Sequence, residues 1–489
     1  MQYVVSKISS FLDISINMEK ISIFVARIYL YLLPIKMISQ LSLLRTYFGV
    51  CATYFDFFLH LIGLFLLAIN SKGIIHIRND KASKLFHYFV IMIVSFNLSS
   101  VIMAVIIQHK YGNIGNESAF DGIAGMLIYF TQYALILFYN KEIFKKMSID
   151  EIIKIINRVV MFLFILGYIQ IIVINFGGIF AIIYDKMDLL NVLSDSDMSK
   201  LCLTGSEGAA AGTIIATFIL PFILSRIFVE KKKNTYFLFL LGWLPIIYFT
   251  NSSTAYIGAA IDFIIFAFLY FKKYYRNLKS LLILTLILTI GTAIFAISPA
   301  IKYFDQTGVQ EQIEYLLFSK ATDKSNGSTV SRTVPLLVNW GAFLEYPLLG
   351  VGNGNQGYFY EKYFPSYAYS AKGSDVFVFL ERSKSQISNG AVFFPSILSG
   401  YGLFGTILFF LFILKSAKLV YQNKNKLGSF YFMFYISLLA IFVSGFQGDY
   451  YGNYFIWFLF SIPFLSTCKT EQEVDSSTIQ EGANICIKG

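Results

Sequence analysis

The chain has 489 residues, of which 56% are hydrophobic and 14% charged, against roughly 45–50% and about 25% in soluble domains. That balance excludes a soluble globular protein and leaves room for about a dozen spans of ~20 residues. The net charge of +10 does not point to nucleic acid, because the basic residues sit in short runs between apolar stretches, as they do in the loops of membrane proteins.

In chain order, Met1–Lys20 is polar and lacks an apolar core with a small-residue cleavage site, so it is not read as a signal peptide. Apolar runs follow near 22–42, 47–69, 85–107, 122–140, 156–177, 204–228, 235–250, 252–271, 281–300, 391–414, 429–447 and 452–467. Each is read as a helix, because lipid offers the backbone no hydrogen-bond partners and a helix satisfies its own amides. The first run carries Arg27, Pro34 and Lys36, and is either a tilted span or an interfacial helix. Lys72, Arg78, Lys81 and Lys84 lie in one connection, and Lys141, Lys145, Lys146 and Lys154 in another. Arg226 with Lys231–Lys233, then Lys272, Lys273, Arg276 and Lys279, then Lys415, Lys418, Lys424 and Lys426 continue the set. The alternate connections are poor in these residues: 108–121 holds Lys110 alone. This alternation assigns the basic set to the cytoplasm and gives twelve spans with both termini cytoplasmic. The expected organisation is all-α and polytopic: spans one to nine over 1–300, a large outer loop over 301–390, spans ten to twelve over 391–468, and a polar cytoplasmic tail over 469–489. A loop of that length is usually functional.

Within the loop, TVSRTVPLLVNWGAFLEY (329–346) has helical periodicity, with Val334, Leu337, Val338, Gly341 and Leu344 on one face. Pro347 ends the helix, and the glycines of PLLGVGNGN (347–355) permit unusual torsions and close approach of the backbone. Arg332 is expected to open the helix, where its guanidinium either joins the free amides as an anion site or simply solvates the loop. Glu207 stands within or at the outer end of the sixth span, where an acid is costly and marks either function or a pair with an arginine that fixes packing. Asp56 and Asp262 lie well inside apolar runs, where either pairs with Arg27 or lines a cavity. Asp195–Ser196–Asp197 matches the D-x-D pattern of metal-dependent glycosyltransferases but sits in a polar loop, and Cys51, Cys202, Cys468 and Cys486 have no metal-like spacing. No metal site and no cofactor are expected.

An arginine opening a helix with a tryptophan, followed by proline and G-V-G-x-G, is similar to the large periplasmic loop of the Wzy-type O-antigen polymerases, whose superfamily includes the O-antigen ligases; here these are Arg332, Trp340, Pro347 and Gly350–Gly354. LTGSEGAAAGTIIATFILPFIL (203–224) resembles the span of that family in which a glutamate precedes small residues. Ser388–Asn389 before VFFPSILSGYGLFG (392–405) resembles its asparagine ahead of a span with a G-L-x-G turn. Related ligases carry a histidine where this chain has Ser388, and Asn251–Ser252–Ser253 lacks the family's frequent arginine, so the polymerase is favoured over the ligase.

The resemblance implies a GT-C-like helical fold in the bacterial inner membrane. It implies joining of undecaprenyl-diphosphate-linked oligosaccharide repeat units on the periplasmic side, independent of metal and nucleotide. Membrane lipid and a polysaccharide chain-length regulator are the expected partners. Such a site needs fixed positive charge on the departing diphosphate and a group to deprotonate the acceptor hydroxyl. Glu207 and Arg332 are the expected catalytic pair. Arg382, Lys384, Asn389, Trp340, Gly350, Gly352 and Arg45 are the expected substrate-binding residues, Arg382 and Lys384 having head-group anchoring as their alternative. The competing functions are a lipid-linked oligosaccharide flippase and a ligase of the same superfamily.

Overall fold

The computed structural model describes residues 18–34, 55–70, 80–113, 118–176, 201, 203–204, 208–230, 233–274, 327–352, 354–366, 393–445 and 454–468. Within them the chain is all-helical. α1 (Met18–Leu32), α2 (Phe55–Asn70), α3 (Lys81–Tyr111), α4 (Asp121–Phe144) and α5 (Ile149–Phe176) come first. α6 (Gly208–Ile214) runs through a π turn (Ile215–Ile219) into α7 (Leu220–Val229), followed by α8 (Lys233–Phe249) and α9 (Ser253–Tyr274). α10 (Gly327–Glu345), a 3₁₀ turn (Asn355–Phe359) and α11 (Tyr360–Tyr363) belong to the expected loop. α12 (Phe393–Gln422), α13 (Lys424–Leu427), α14 (Ser429–Ser444), α15 (Tyr454–Ser461) and a 3₁₀ turn (Ile462–Thr467) complete the described chain.

Five helical stretches are long and apolar enough to cross a membrane: α3, α5, Ala210–Val229, Thr254–Phe271 and α12. The burial pattern agrees. Leu98, Val101, Ile102 and Val105 on α3, and Leu403, Phe404, Ile407 and Leu414 on α12, are exposed. Some buried polar groups pair inside, as Asn140 does by donating to Ser461 at 2.9 Å. An apolar exterior with hydrogen-bonded polar groups within suits a lipid solvent. Of the expected spans, the one near 281–300 lies outside the described residues, and each of the others contains described helix.

The α6–α7 stretch is the most enclosed candidate span, 89% buried against 44% for α3. Its glycine and alanine residues explain the position: Gly212 lies against the backbone of Ala255, and Gly258 against Ala216, so α6 and the π turn lie close against α9. Small residues spaced this way are how helices approach closely where no hydrophobic drive separates lipid from protein. Arg27, expected as a partner for an intramembrane acid, instead pairs with Glu151 at 2.5 Å, joining α1 to the start of α5.

Candidate functional site

The α10 helix starts at Gly327, so Arg332 lies in its second turn rather than at its opening, and Pro335 sits inside it. The helix's free N-terminal amides therefore belong to Gly327–Val330, ahead of Arg332 rather than at it. The buried face also differs from expectation. Val330, Val334, Val338 and Ala342 face the protein, whereas Leu337 is 43% and Leu344 60% exposed. The helix is rotated so that its small and β-branched residues pack inward, and Gly341 fits against the Tyr363 ring.

α12 is broken at Gly402 (φ 62°, ψ −163°). A helix broken there leaves the carbonyls of Ser399 and Gly400, and the amides of Leu403 and Phe404, without their i→i−4 partners. The chain that follows α10 supplies all four. Val351 N–H donates to Ser399 O at 2.8 Å and Gly352 N–H to Gly400 O at 3.0 Å. Leu403 N–H donates to Pro347 O at 2.8 Å and Phe404 N–H to Leu348 O at 3.1 Å. Four loop bonds therefore satisfy the four groups left by the two helical bonds that the break removes.

Two glycines make this possible. Gly350 has φ +71°, and a Cβ there would strike the backbone of Ser399–Tyr401; a Cβ on Gly402 would strike Leu348 O and Gly350 N. Side chains lock the same junction. Ser399 Oγ donates to Asn339 Oδ1, and Asn339 Nδ2 donates to Pro335 O at 2.7 Å. Gln356 donates to Ser399 Oγ at 3.4 Å and accepts from Gly354 N–H at 3.0 Å. All of these side chains are buried, so each amide and hydroxyl needs the partner it has.

A charged cluster lies where α10 ends beside the end of α3. Glu345 accepts from Lys362 at 2.6 Å and from Tyr363 at 2.7 Å on one oxygen. Its other oxygen faces Tyr111 at 3.4 Å and Lys110 at 4.0 Å. Lys110 also donates to Tyr346 OH at 3.2 Å. Partial burial alone would raise the Glu345 pKa, but the hydrogen bonds from Lys362 and Tyr363 and the lysine charges outweigh it and hold the carboxyl below its usual value. The Lys362 pKa is raised by its hydrogen bond to Glu345. Glu345 is thus a fixed anion at neutral pH, poorly suited to take a proton.

Between α10, α12 and α14 runs an apolar groove of about 220 Å³, lined by Leu336, Trp340, Phe394, Phe410 and Phe442 among others. Trp340 stands at its rim, 54% exposed.

The structure brings Gly350 and Gly352 together with Ser399, Gly400 and Gly402, whereas Trp340 lines the groove with Phe394, Phe410 and Phe442. Arg332 contributes only its helical backbone to the description. Arg45, Glu207, Arg382, Lys384, Asn389 and Asp195–Asp197 lie outside the described residues. Asp262 is fully buried on α9, and neither carboxylate oxygen has a hydrogen-bond partner among the described residues. Asp56 lies in the first turn of α2. Among the described residues no group of His, Cys, Asp and Glu could hold a metal ion. Sequence reasoning missed Ser399, Asn339 and Gln356, buried polar residues whose pairing depends on two distant segments. It missed Glu345, Lys110 and Lys362 for the same reason, because they come from α3, α10 and α11.

The fold and burial define a helical membrane protein whose loop is built into a broken span. No protein-family model matches the chain, and no curated protein matches it.

Proposed function

We propose that this protein is a glycosyltransferase that polymerises lipid-linked oligosaccharide repeat units, an O-antigen polymerase of the Wzy type with about twelve spans and a GT-C-like architecture. The observation that carries the reading is the interlock itself. Two motifs resembling separate parts of that family, PLLGVGNG (347–354) and SGYGLFG (399–405), are the two halves of one hydrogen-bonded junction. Residues resembling a site by spacing alone have no reason to meet; these meet through four backbone bonds.

In this reading the α10 end of the molecule faces the periplasm, as the lysine and arginine alternation requires. A hydroxyl of the acceptor repeat unit attacks the anomeric carbon of the growing chain. The new glycosidic bond forms as the bond to undecaprenyl diphosphate breaks, and the diphosphate departs on its lipid. The energy is already in the glycosyl diphosphate, so the step uses no nucleotide. Arg332, with Arg45, Arg382 and Lys384, stabilises the departing charge, an arginine being always ionised and able to hold phosphate through two parallel bonds. Glu207 receives the acceptor proton. Glu345 does not, because its lysines and Tyr363 keep it ionised below the ordinary carboxylate range. Trp340 and Asn389 bind sugar, and the groove behind Trp340 is apolar, as a lipid-linked substrate needs.

A second reading rests on Asp262, whose buried carboxyl in α9 has no partner among the described residues. Acids of that kind mark proton-coupled transport, and a flippase would use one. The experiment that separates the readings measures glycan length in membranes carrying the lipid-linked repeat unit. The polymerase gives a ladder of longer glycans that is lost in Arg332→Ala and in Glu207→Ala. A flippase moves repeat units between leaflets with no change in length, and a ligase attaches them to a different lipid acceptor. A ladder that survives both substitutions would remove these two residues from the mechanism.

A further inference from the structure

The outward face of α10 is as apolar as its inward one. Leu336 is 37%, Leu337 43%, Trp340 54% and Leu344 60% exposed, and Leu348, just past the helix, is 70% exposed. At about 100° per residue, the four helical positions fall within an arc of about 100°, and none is charged. The opposite face carries Val330, Val334, Val338 and Ala342 into the protein. A loop helix in water has no use for a second apolar face of this size. The face is also continuous with surface that already faces lipid. Pro347 O and Leu348 O bond to the amides of Leu403 and Phe404, and Leu403, Phe404 and Ile407 are among the exposed residues of span α12. Gly352 lies beside Ser100 and Met103 of α3, well before the end of that helix at Tyr111. The loop therefore reaches down into the depth that the spans occupy. The charged cluster of Lys110, Glu345 and Lys362 lies off this stripe, Glu345 pointing about 130° from its centre on the helical wheel.

We propose that α10 is an interfacial helix, with Leu336, Leu337, Leu344 and Leu348 seated in the acyl chains of the adjoining leaflet, Trp340 at their headgroup edge, and bilayer lipid as the cover. Trp340 then lies at headgroup level, where tryptophan is favoured, and the groove behind it opens sideways into the leaflet. A loop that sits in lipid, rather than capping the protein from the water, receives ligands along the membrane plane. The proposal does not depend on which reaction the protein performs.

The test is tryptophan quenching in the full-length protein reconstituted into liposomes, taking the difference between wild type and Trp340→Phe. Trp243 and Trp457 are buried and cancel in that difference. The Trp340 component is expected to be quenched by phosphatidylcholine brominated near the headgroup end of its acyl chains, less by lipid brominated at the bilayer centre, and barely by aqueous iodide. A component quenched by iodide and not by brominated lipid would overturn the proposal, and so would one that neither reaches, since protein would then be the cover. A nitroxide attached at Leu344→Cys gives an independent reading. It should meet oxygen more readily than a water-soluble nickel chelate, and the reverse order would contradict the lipid seat.

Discussion

At Gly350 and Gly402 two stretches of backbone lie in contact, each glycine at a positive φ that L side chains rarely adopt. Alanine at either position meets both obstacles, the strained torsion and the neighbouring main chain. The torsion alone costs about 1–3 kcal/mol. Gly350→Ala and Gly402→Ala are therefore expected to lower the unfolding temperature in detergent, whereas Gly428→Ala, which has positive φ but nothing within 4 Å, should lower it less. Equal shifts at the three positions would mean that close approach contributes nothing.

Glu345 makes a pH prediction at the same scale. Its folded pKa lies below the ordinary value of 4.5, so the anchor it forms is fully present above that value. It is lost as pH falls through the lower, folded value. Glu345→Gln removes the anchor at every pH, so wild type and variant should differ in thermal stability near neutral pH and converge in acid. A difference that stays unchanged however far the pH is lowered would exclude the carboxylate as its source.

Among the elements, α12 is the one that the loop completes. A broken span in lipid leaves polar backbone groups that cost several kcal/mol each if unpaired, and here the loop supplies every partner. Ser399 and Asn339 pin the junction from the two sides. Ser399→Ala and Asn339→Ala should therefore couple, with a double-mutant interaction of about 0.5–3 kcal/mol in unfolding free energy; additive effects would show that the hydrogen bond adds no joint stability.

How far these elements were legible depends on the range of the contacts that fix them. Runs of apolar residues over α3, α5 and α12 announce themselves locally, because a span needs length and apolarity and both are written in consecutive residues. The break in α12 was half legible: SGYGLFG shows where a helix can open, but not that a loop some 50 residues earlier closes it. The inward face of α10 was misjudged by about 40° of rotation, because both of its faces are apolar and periodicity cannot say which one meets protein. Glu345 was invisible as a site residue, since its partners come from other elements.

For the molecule as a whole, the orientation inferred from charge puts Lys362 outside and Lys424 in the cytoplasm. With the native cysteines replaced, Lys362→Cys should react with a membrane-impermeant maleimide on intact cells, and Lys424→Cys only after permeabilisation. Labelling of both from one side would overturn the topology. The inside-out burial, with Leu98, Ile407 and Leu414 exposed and Asn140, Gln170 and Ser461 enclosed, holds whichever way the molecule faces. What the protein does with a loop built into a span is the central question. The most direct test reconstitutes the purified protein into liposomes with undecaprenyl-diphosphate-linked repeat units, without nucleotide or added metal, and measures glycan length together with released undecaprenyl diphosphate. The polymerase predicts a ladder of products, with one undecaprenyl diphosphate freed for each bond formed. Repeat units that cross the bilayer at unchanged length, with no diphosphate freed, would contradict it.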